Sequence, residues 1–354
     1  MDGTQAGYYY EPSKGGDWAQ KGWVIHLQGG GECTDEASCT EQLGTERASS
    51  DYFEPYLWDL TFLASNNQEK NPDMFQWNHV FSPYCSQDLH SGQVATPSEE
   101  TFGFYFSGHF IISAILQEMK NSSLVGGGLD GATTVVLSGD SAGGIGTWIN
   151  VDWLQDQVPQ AKLVGAPIAG YYFFSFPYTG PGHTEGLLSD MSAGAWAANV
   201  ALWNSFLPVA CAEELGQEDA PYCMLSNYSA PYTAAPMFVI EAQTDCVQLV
   251  YHDWMPSSAR DDTDEDLRAY MVAWQLNQTQ GFYANLKPSD GWFNPACFIH
   301  TEFTYTNPTI GGASFVDAFD DWLFGNSSSG PPRLMDSCDN DVFCNENCSM
   351  NWYC

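Results

Sequence analysis

The stretch that most constrains this chain is residues 133–153, TTVVLSGDSAGGIGTWINVDW. Its β-branched start, 133–137, has strand character. Gly139-Asp140-Ser141-Ala142-Gly143 follows and fits G-x-S-x-G. Ile145, Trp148, Ile149 and Trp153 then recur at roughly helical spacing. Strand, tight turn and helix, in that order, is the setting that raises a nucleophilic serine above a sheet. The residue types follow from the chemistry. Bulky neighbours would clash at so sharp a turn, and the N–H after the serine, that of Ala142, points to where an oxyanion forms. A Gly-Ser turn that merely caps a helix would read the same over these five residues, so partners elsewhere in the chain must decide.

Such partners are present. Residues 22–27, GWVIHL, read as an inner strand and run into Gln28-Gly29-Gly30-Gly31-Glu32-Cys33. Three glycines at a strand end let the backbone approach a ligand, so the N–H groups of Gly30 and Gly31 join that of Ala142 as oxyanion-hole candidates. A late strand, 237–241, ends shortly before Asp245, and His300 sits on a loop within 291–303. Ser141, Asp245, His300 is the order of the α/β-hydrolase fold. His300 would take the serine proton, and Asp245 would orient the imidazole. Asp253, Asp290 and Glu241 remain alternative acids; His252, His183 and His109 remain alternative bases. His26 reads as a core residue, Asp140 as a residue that orders the elbow, and His90 as a residue on a loop that could border the site.

The remaining segments suit a mostly parallel central sheet with a helical cap-like insertion. Residues 6–10 and 22–27 read as an opening hairpin, 78–84 and 161–169 as strands, and 110–119, 266–276 and 315–324 as helices. Tyr171 and Tyr172 begin an aromatic segment, 171–178, that reads equally as core or as the wall of an acyl or sugar site. Residues 182–232 are the expected cap. The expected organisation is an esterase domain over 1–325, a linker over 326–332 (NSSSGPP) and a Cys-rich, disulfide-held tail over 333–354, expected to be cut short.

Composition narrows the partners. At 354 residues with a net charge of −34 and only 10 basic side chains, the chain is poorly suited to nucleic acid or anionic membranes. No run approaches the ~18 apolar residues of a membrane span. Eleven cysteines and sequons at Asn121, Asn227, Asn277, Asn326 and Asn347 favour the secretory route, so a secreted, disulfide-bonded glycoprotein is expected. The cysteine spacings lack the C-x2-C pairs of zinc sites, so no metal is expected. Residues 1–20 contain no signal peptide, so a leader is expected to be missing. A monomer with no cofactor is expected.

With these residues assembled, the chain resembles the pectin acetylesterase/Notum family of serine carboxylesterases. The likeness runs from Asp2-Gly3-Thr4-Gln5-Ala6-Gly7-Tyr8-Tyr9 through 27–33 and the loop 83–92, PYCSQDLHSG. It continues through the elbow 138–144 with Asn150-Val151-Asp152, Asp245 with Gln248-Leu249, and Cys297-Phe298-Ile299-His300. It implies an α/β-hydrolase fold and metal-free ester cleavage. In plant and bacterial members the ester is an acetyl group on polysaccharide; in Notum it is a lipid acyl group on a secreted signalling protein. Gly31-Glu32 departs from the pattern, since relatives carry an aromatic there, and Glu32 would set a negative charge beside the acyl site. The family opening tends to have a cysteine just upstream, which leaves Cys85 as the odd thiol. The expected pairs are Cys33–Cys39 and Cys211–Cys223, with Cys246–Cys297 joining the acid and base loops. An O-acetyl esterase on a neutral glycan is the first expectation, since few cations are available to grip a polyanion. A fatty-acyl esterase is the second; a non-catalytic binding protein on the same fold, or other acyl chemistry, completes the set.

Overall fold

A computed structural model describes the chain except residues 59, 61, 185–191, 258–263, 326–329, 331, 339–341 and 349–354. Eight described strands form one sheet: β1 (Tyr9–Glu11), β2 (Gly22–Leu27), β3 (Asn78–Ser82), β4 (Thr134–Asp140), β5 (Lys162–Ile168), β6 (Phe238–Ile240), β7 (Gly291–Asn294) and β8 (Arg333–Met335). Their order is β1-β3-β2-β4-β5-β6-β7-β8, with β1 antiparallel on one edge and every other pairing parallel. This is the mostly parallel sheet of an α/β hydrolase. The expected opening hairpin does not form. β1 pairs with β3, while β2 lies between β3 and β4 with all six residues buried. A strand this buried on both faces is suited to the interior of a parallel sheet, where β3 and β4 flank it in parallel.

The helices are α1 (Asp17–Gln20), α2 (Glu36–Glu41), α3 (Gly108–Met119), α4 (Ala142–Gln157), α5 (Ala193–Trp203), α6 (Val209–Asp219), α7 (Ser226–Ser229), α8 (Glu265–Asn285) and α9 (Phe315–Phe324). Strand alternation divides the core. Trp23, Ile25, Leu27, Val135, Leu137 and Leu163 face Ile112, Ile115 and Leu116 of α3, Trp148 and Leu154 of α4, and Met271 and Phe282 of α8. Val24, Val136, Val164, Phe238 and Ile240 face Phe315, Phe319 and Leu323 of α9. A third cluster joins Ile145 and Ile149 of α4 to Trp196 and Trp203 of α5 and to Leu225, seating the cap over the elbow helix. Helix α8 runs nine residues beyond the expected 276, because buried Gln278 and Phe282 continue its inner face.

The segment expected as a tail contributes β8, which pairs with β7 at the far edge. Cys33–Cys39 and Cys211–Cys223 are bonded, as are Cys338 and Cys344. Cys297 is bonded to Cys348, not to Cys246; Cys246 is disulfide-bonded elsewhere. The correction has a clear cause. β8 carries the chain back past the base loop, so a cysteine 51 residues away becomes the near neighbour. Cys85 is a buried free thiol. Among the sequons, Asn121, Asn277 and Asn347 are exposed, whereas Asn227 is half-buried and accepts hydrogen bonds from Tyr171 Oη and Asn285 Nδ2. Asn326, like most of the expected linker, lies outside the described residues. No described helix is long and apolar enough to cross a membrane.

Candidate active site

The site lies at the carboxyl ends of the parallel strands, where open α/β sheets leave a crevice. β4 ends at Asp140, and Ser141 follows with φ 54° and ψ −121° before α4 begins. A non-glycine residue held there stores backbone strain. The surrounding packing maintains it. A Cβ on Gly143 would lie 1.9 Å from the Leu27 carbonyl oxygen, and one on Gly139 would lie 2.2 Å from that of Gly143. The helix start therefore rests directly on the backbone of β2.

That contact also places the glycine loop. A Cβ on Gly29 would fall 2.8 Å from the Ser141 Cβ. Asp140 Oδ1 accepts from Gly29 N at 3.3 Å and meets His26 Nε2 at 3.0 Å, so Asp140 ties elbow to loop. His26 is buried and stacked between Phe62 and Phe81. Gly30 and Gly31 adopt φ 151° and 72°, conformations suited to glycine. Gln87 Nε2 donates to the Gly30 carbonyl, and Trp203 Nε1 of α5 donates to that of Cys33. The loop is thus held from outside as well as from the elbow.

Asp245 and His300 meet across the ends of β6 and β7. His300 Nδ1 lies 2.7 Å from Asp245 Oδ2. Asp245 Oδ1 accepts the N–H groups of Val247 and Gln248 at 2.9 and 3.0 Å. Glu302 Oε2 accepts the His300 backbone N–H at 2.8 Å. Both side chains are buried, and burial opposes charge on each. The attraction between them outweighs it: Asp245 is held below the usual carboxylate range and His300 above the ordinary imidazole value of 6.5. His300 Nε2 has no hydrogen-bond partner and is left as an available lone pair.

Ser141, Ala142, Gly30, Gly31 and His300 line one cavity of about 380 Å³. Leu89, Ile145, Tyr172, Val247 and Tyr251 form its apolar wall; Glu32, Gln42, Arg47 and Gln87 form its polar wall. Tyr172 and Ser141 line this cavity together. Burial, then the charges of Asp245 and Glu32, holds the Tyr172 phenol well above its usual range, so it remains protonated.

Two residues expected near the substrate are elsewhere. Tyr171 is fully buried behind the wall, its ring 4.5 Å from that of Phe282. His90 stacks on Tyr84 and meets the Gln28 carbonyl at 2.9 Å, so it supports the glycine loop from behind. Along an extended segment neighbouring side chains alternate, and here Tyr172 faces inward while Tyr171 does not. The alternative acids are engaged otherwise. Asp253 Oδ2 accepts from Ser175 and Trp274, and Asp290 accepts from the Met237 and Lys287 backbones. His109 pairs with Asn150, His183 meets the Gly180 carbonyl, and His252 is buried against the Tyr172 edge. Arg47, Gln42 and Tyr251 lie in no catalytic motif and were not foreseen at the site.

A sequence model of the pectinacetylesterase family matches residues 1–349. The chain belongs to the pectinacetylesterase family. It is 29% identical to palmitoleoyl-protein carboxylesterase notum1 of Xenopus laevis over 356 residues, covering 95% of this chain and 69% of the relative. It is 28% identical to palmitoleoyl-protein carboxylesterase NOTUM of Homo sapiens, covering 95% and 68%. Pectin acetylesterase 7 of Arabidopsis thaliana is 27% identical over 355 residues, covering 93% of this chain and 84% of that one. These relatives are hydrolases of esters, and the chain is an esterase of this family.

Proposed function

We propose that this esterase works through Ser141, His300 and Asp245 and that its substrates carry short acyl groups, O-acetyl groups on a neutral polysaccharide first among them. The observation that supports the machinery is the buried 2.7 Å His300–Asp245 contact beside a cavity that Ser141 and His300 both line, with His300 Nε2 left without a hydrogen-bond partner. Nε2 takes the serine proton as Oγ attacks the ester carbonyl, then gives it to the departing alcohol; water repeats the cycle on the acyl-enzyme. The N–H groups of Gly30, Gly31 and Ala142 hold the oxyanion. The Ser141–His300 bond closes as substrate seats, as such contacts tighten in the Michaelis complex.

The polar wall supports the short acyl group. A long alkyl chain gains about 0.8 kcal/mol for each buried methylene only against apolar surface. Here Glu32 and Arg47 share the cavity with the serine. An acetyl group needs no such lining. The expected result is that p-nitrophenyl acetate and butyrate are cleaved with higher kcat/KM than octanoate and palmitate, and that acetate is released from acetylated xylan. A kcat/KM that climbs steadily with chain length would instead establish the fatty-acyl reading, which the names of the Notum relatives favour.

Protonation supplies a second test. His300 must be neutral to accept the proton, and its pKa is raised above 6.5, chiefly by Asp245 against the effect of burial. Activity is therefore lost as pH falls through a value above 6.5. An acid limb of kcat/KM at or below the ordinary imidazole value would contradict the proposed base. The several disulfides support work outside the cytosol, in the secretory pathway or beyond the cell.

A further inference from the structure

Glu241 follows directly on β6 and is completely buried. Its backbone is fixed on both sides: its N–H donates to the Phe293 carbonyl at 3.1 Å, and its carbonyl accepts from Asn294 Nδ2 at 2.7 Å. Its Oε2 accepts the Tyr171 backbone N–H at 2.7 Å. Its Oε1 is buried with no donor to accept from. The side chain that its carboxyl meets is that of Asp245.

Two carboxyl groups in contact and out of water do not both stay ionised. Their partners show which one holds the proton. Asp245 already receives Val247 N–H, Gln248 N–H and His300 Nδ1. Glu241 has the Tyr171 N–H on one oxygen and an idle second oxygen.

We propose that Glu241 is a positioning residue of the active site: it carries a proton and donates it in a hydrogen bond to Asp245, extending the chain of contacts to Glu241, Asp245, His300 and Ser141. The inference rests on the triad reading above. Burial, followed by the Asp245 charge, pushes the Glu241 carboxyl well above its usual range, in agreement with the geometry. The titratable groups facing it are Asp245 beyond β6, Tyr171 and Tyr172 beyond β5, and, through Asp245, His300 beyond β7. The imidazole is the one group among these that can become a cation, and Asp245 engages it. Glu241 therefore acts on Asp245 without adding charge. It also joins the acid to the Tyr171–Tyr172 segment, whose second ring forms the cavity wall.

Glutamine reproduces a neutral glutamic acid: its oxygen can accept from Tyr171, and its amide can donate to Asp245. Glu241→Gln and Glu241→Ala are measured beside wild type and Ser141→Ala, with p-nitrophenyl acetate, across the pH range. Wild-type activity that is lost in Ser141→Ala tests the triad by itself, before the Glu241 variants are considered. Glu241→Gln is expected to stay within about threefold of wild type in kcat, and Glu241→Ala to lose about 10- to 100-fold with little change in KM. The acid limb of kcat/KM should be unmoved in Glu241→Gln. If Glu241 were an anion, its neutralisation would remove a charge that supports imidazolium, and the limb would fall by about one unit or more. That shift would overturn the proposal. So would equal impairment of the two variants, or a glutamine variant that does not fold. Should only the alanine variant fail to fold, the acid limb of Glu241→Gln decides.

Discussion

Replacing Ser141 with alanine is expected to abolish ester hydrolysis, lowering kcat by about 10⁴-fold or more, while the protein stays folded. The reasoning is geometric. Ser141 stands alone between β4 and α4 in a strained conformation, φ 54°, that its neighbours enforce. Its N–H is bonded to the Ile168 carbonyl and its carbonyl to the Ile145 N–H, and neither bond uses the side chain. Deleting Oγ removes the proposed nucleophile but leaves both backbone bonds of the elbow in place. Residual turnover would come from the oxyanion hole alone, which acts on water far less effectively. Circular dichroism confirms the fold, and a fluorophosphonate probe should label wild type at Ser141 and the variant not at all. Undiminished hydrolysis by folded Ser141→Ala would place the chemistry elsewhere.

The second large effect concerns stability. Helix propensity alone predicts that Gly143→Ala, in the first turn of α4, would stabilise by about 1 kcal/mol. The structure reverses that sign. The new Cβ would lie 1.9 Å from the Leu27 oxygen, 2.6 Å from its carbonyl carbon and 3.1 Å from that of Gln28, all rigid backbone. The strand and helix must move apart, and the loop carrying Gly30 and Gly31 begins at that point. A loss of about 3 kcal/mol or more is expected, with activity falling in the fraction that still folds. Gly194→Ala in α5 is the control, since a Cβ there meets nothing within 4 Å and should be neutral or stabilising. Equal denaturation midpoints for Gly143→Ala and wild type would refute the contact.

The glycines also show how far the site could be read in advance. The elbow is legible because its constraints are local: strand, turn and helix occupy consecutive residues, and small residues are required wherever the turn closes on itself. The Gly30–Gly31 loop was legible for the same reason. Asp245 and His300 were placed by chain order, with Glu241, Asp253 and Asp290 still open as acids. Only the folded chain separates these. Asp290 closes a turn with Lys287, Asp253 meets Ser175 and Trp274, and Asp245 faces the imidazole.

What escaped the sequence is what depends on register and long-range return. Strands 6–10 and 22–27 are adjacent in sequence, yet β3 lies between them, because a strand buried along its whole length suits the parallel interior of the sheet. Tyr171 and Tyr172 are chemically alike, and only the register of the segment after β5 turns one inward and the other into the core. Cys246 and Cys297 lie close in sequence to Asp245 and His300, but the return of the chain through β8 brings Cys348 to Cys297. The sequence by itself determined the serine turn and the glycine loop, since these follow from short-range sterics. The tertiary structure alone decided which carboxylate meets His300, that Glu241 stands behind it, and that Arg47 and Glu32 share the cavity with Ser141, since each joins segments that only the assembled sheet brings together.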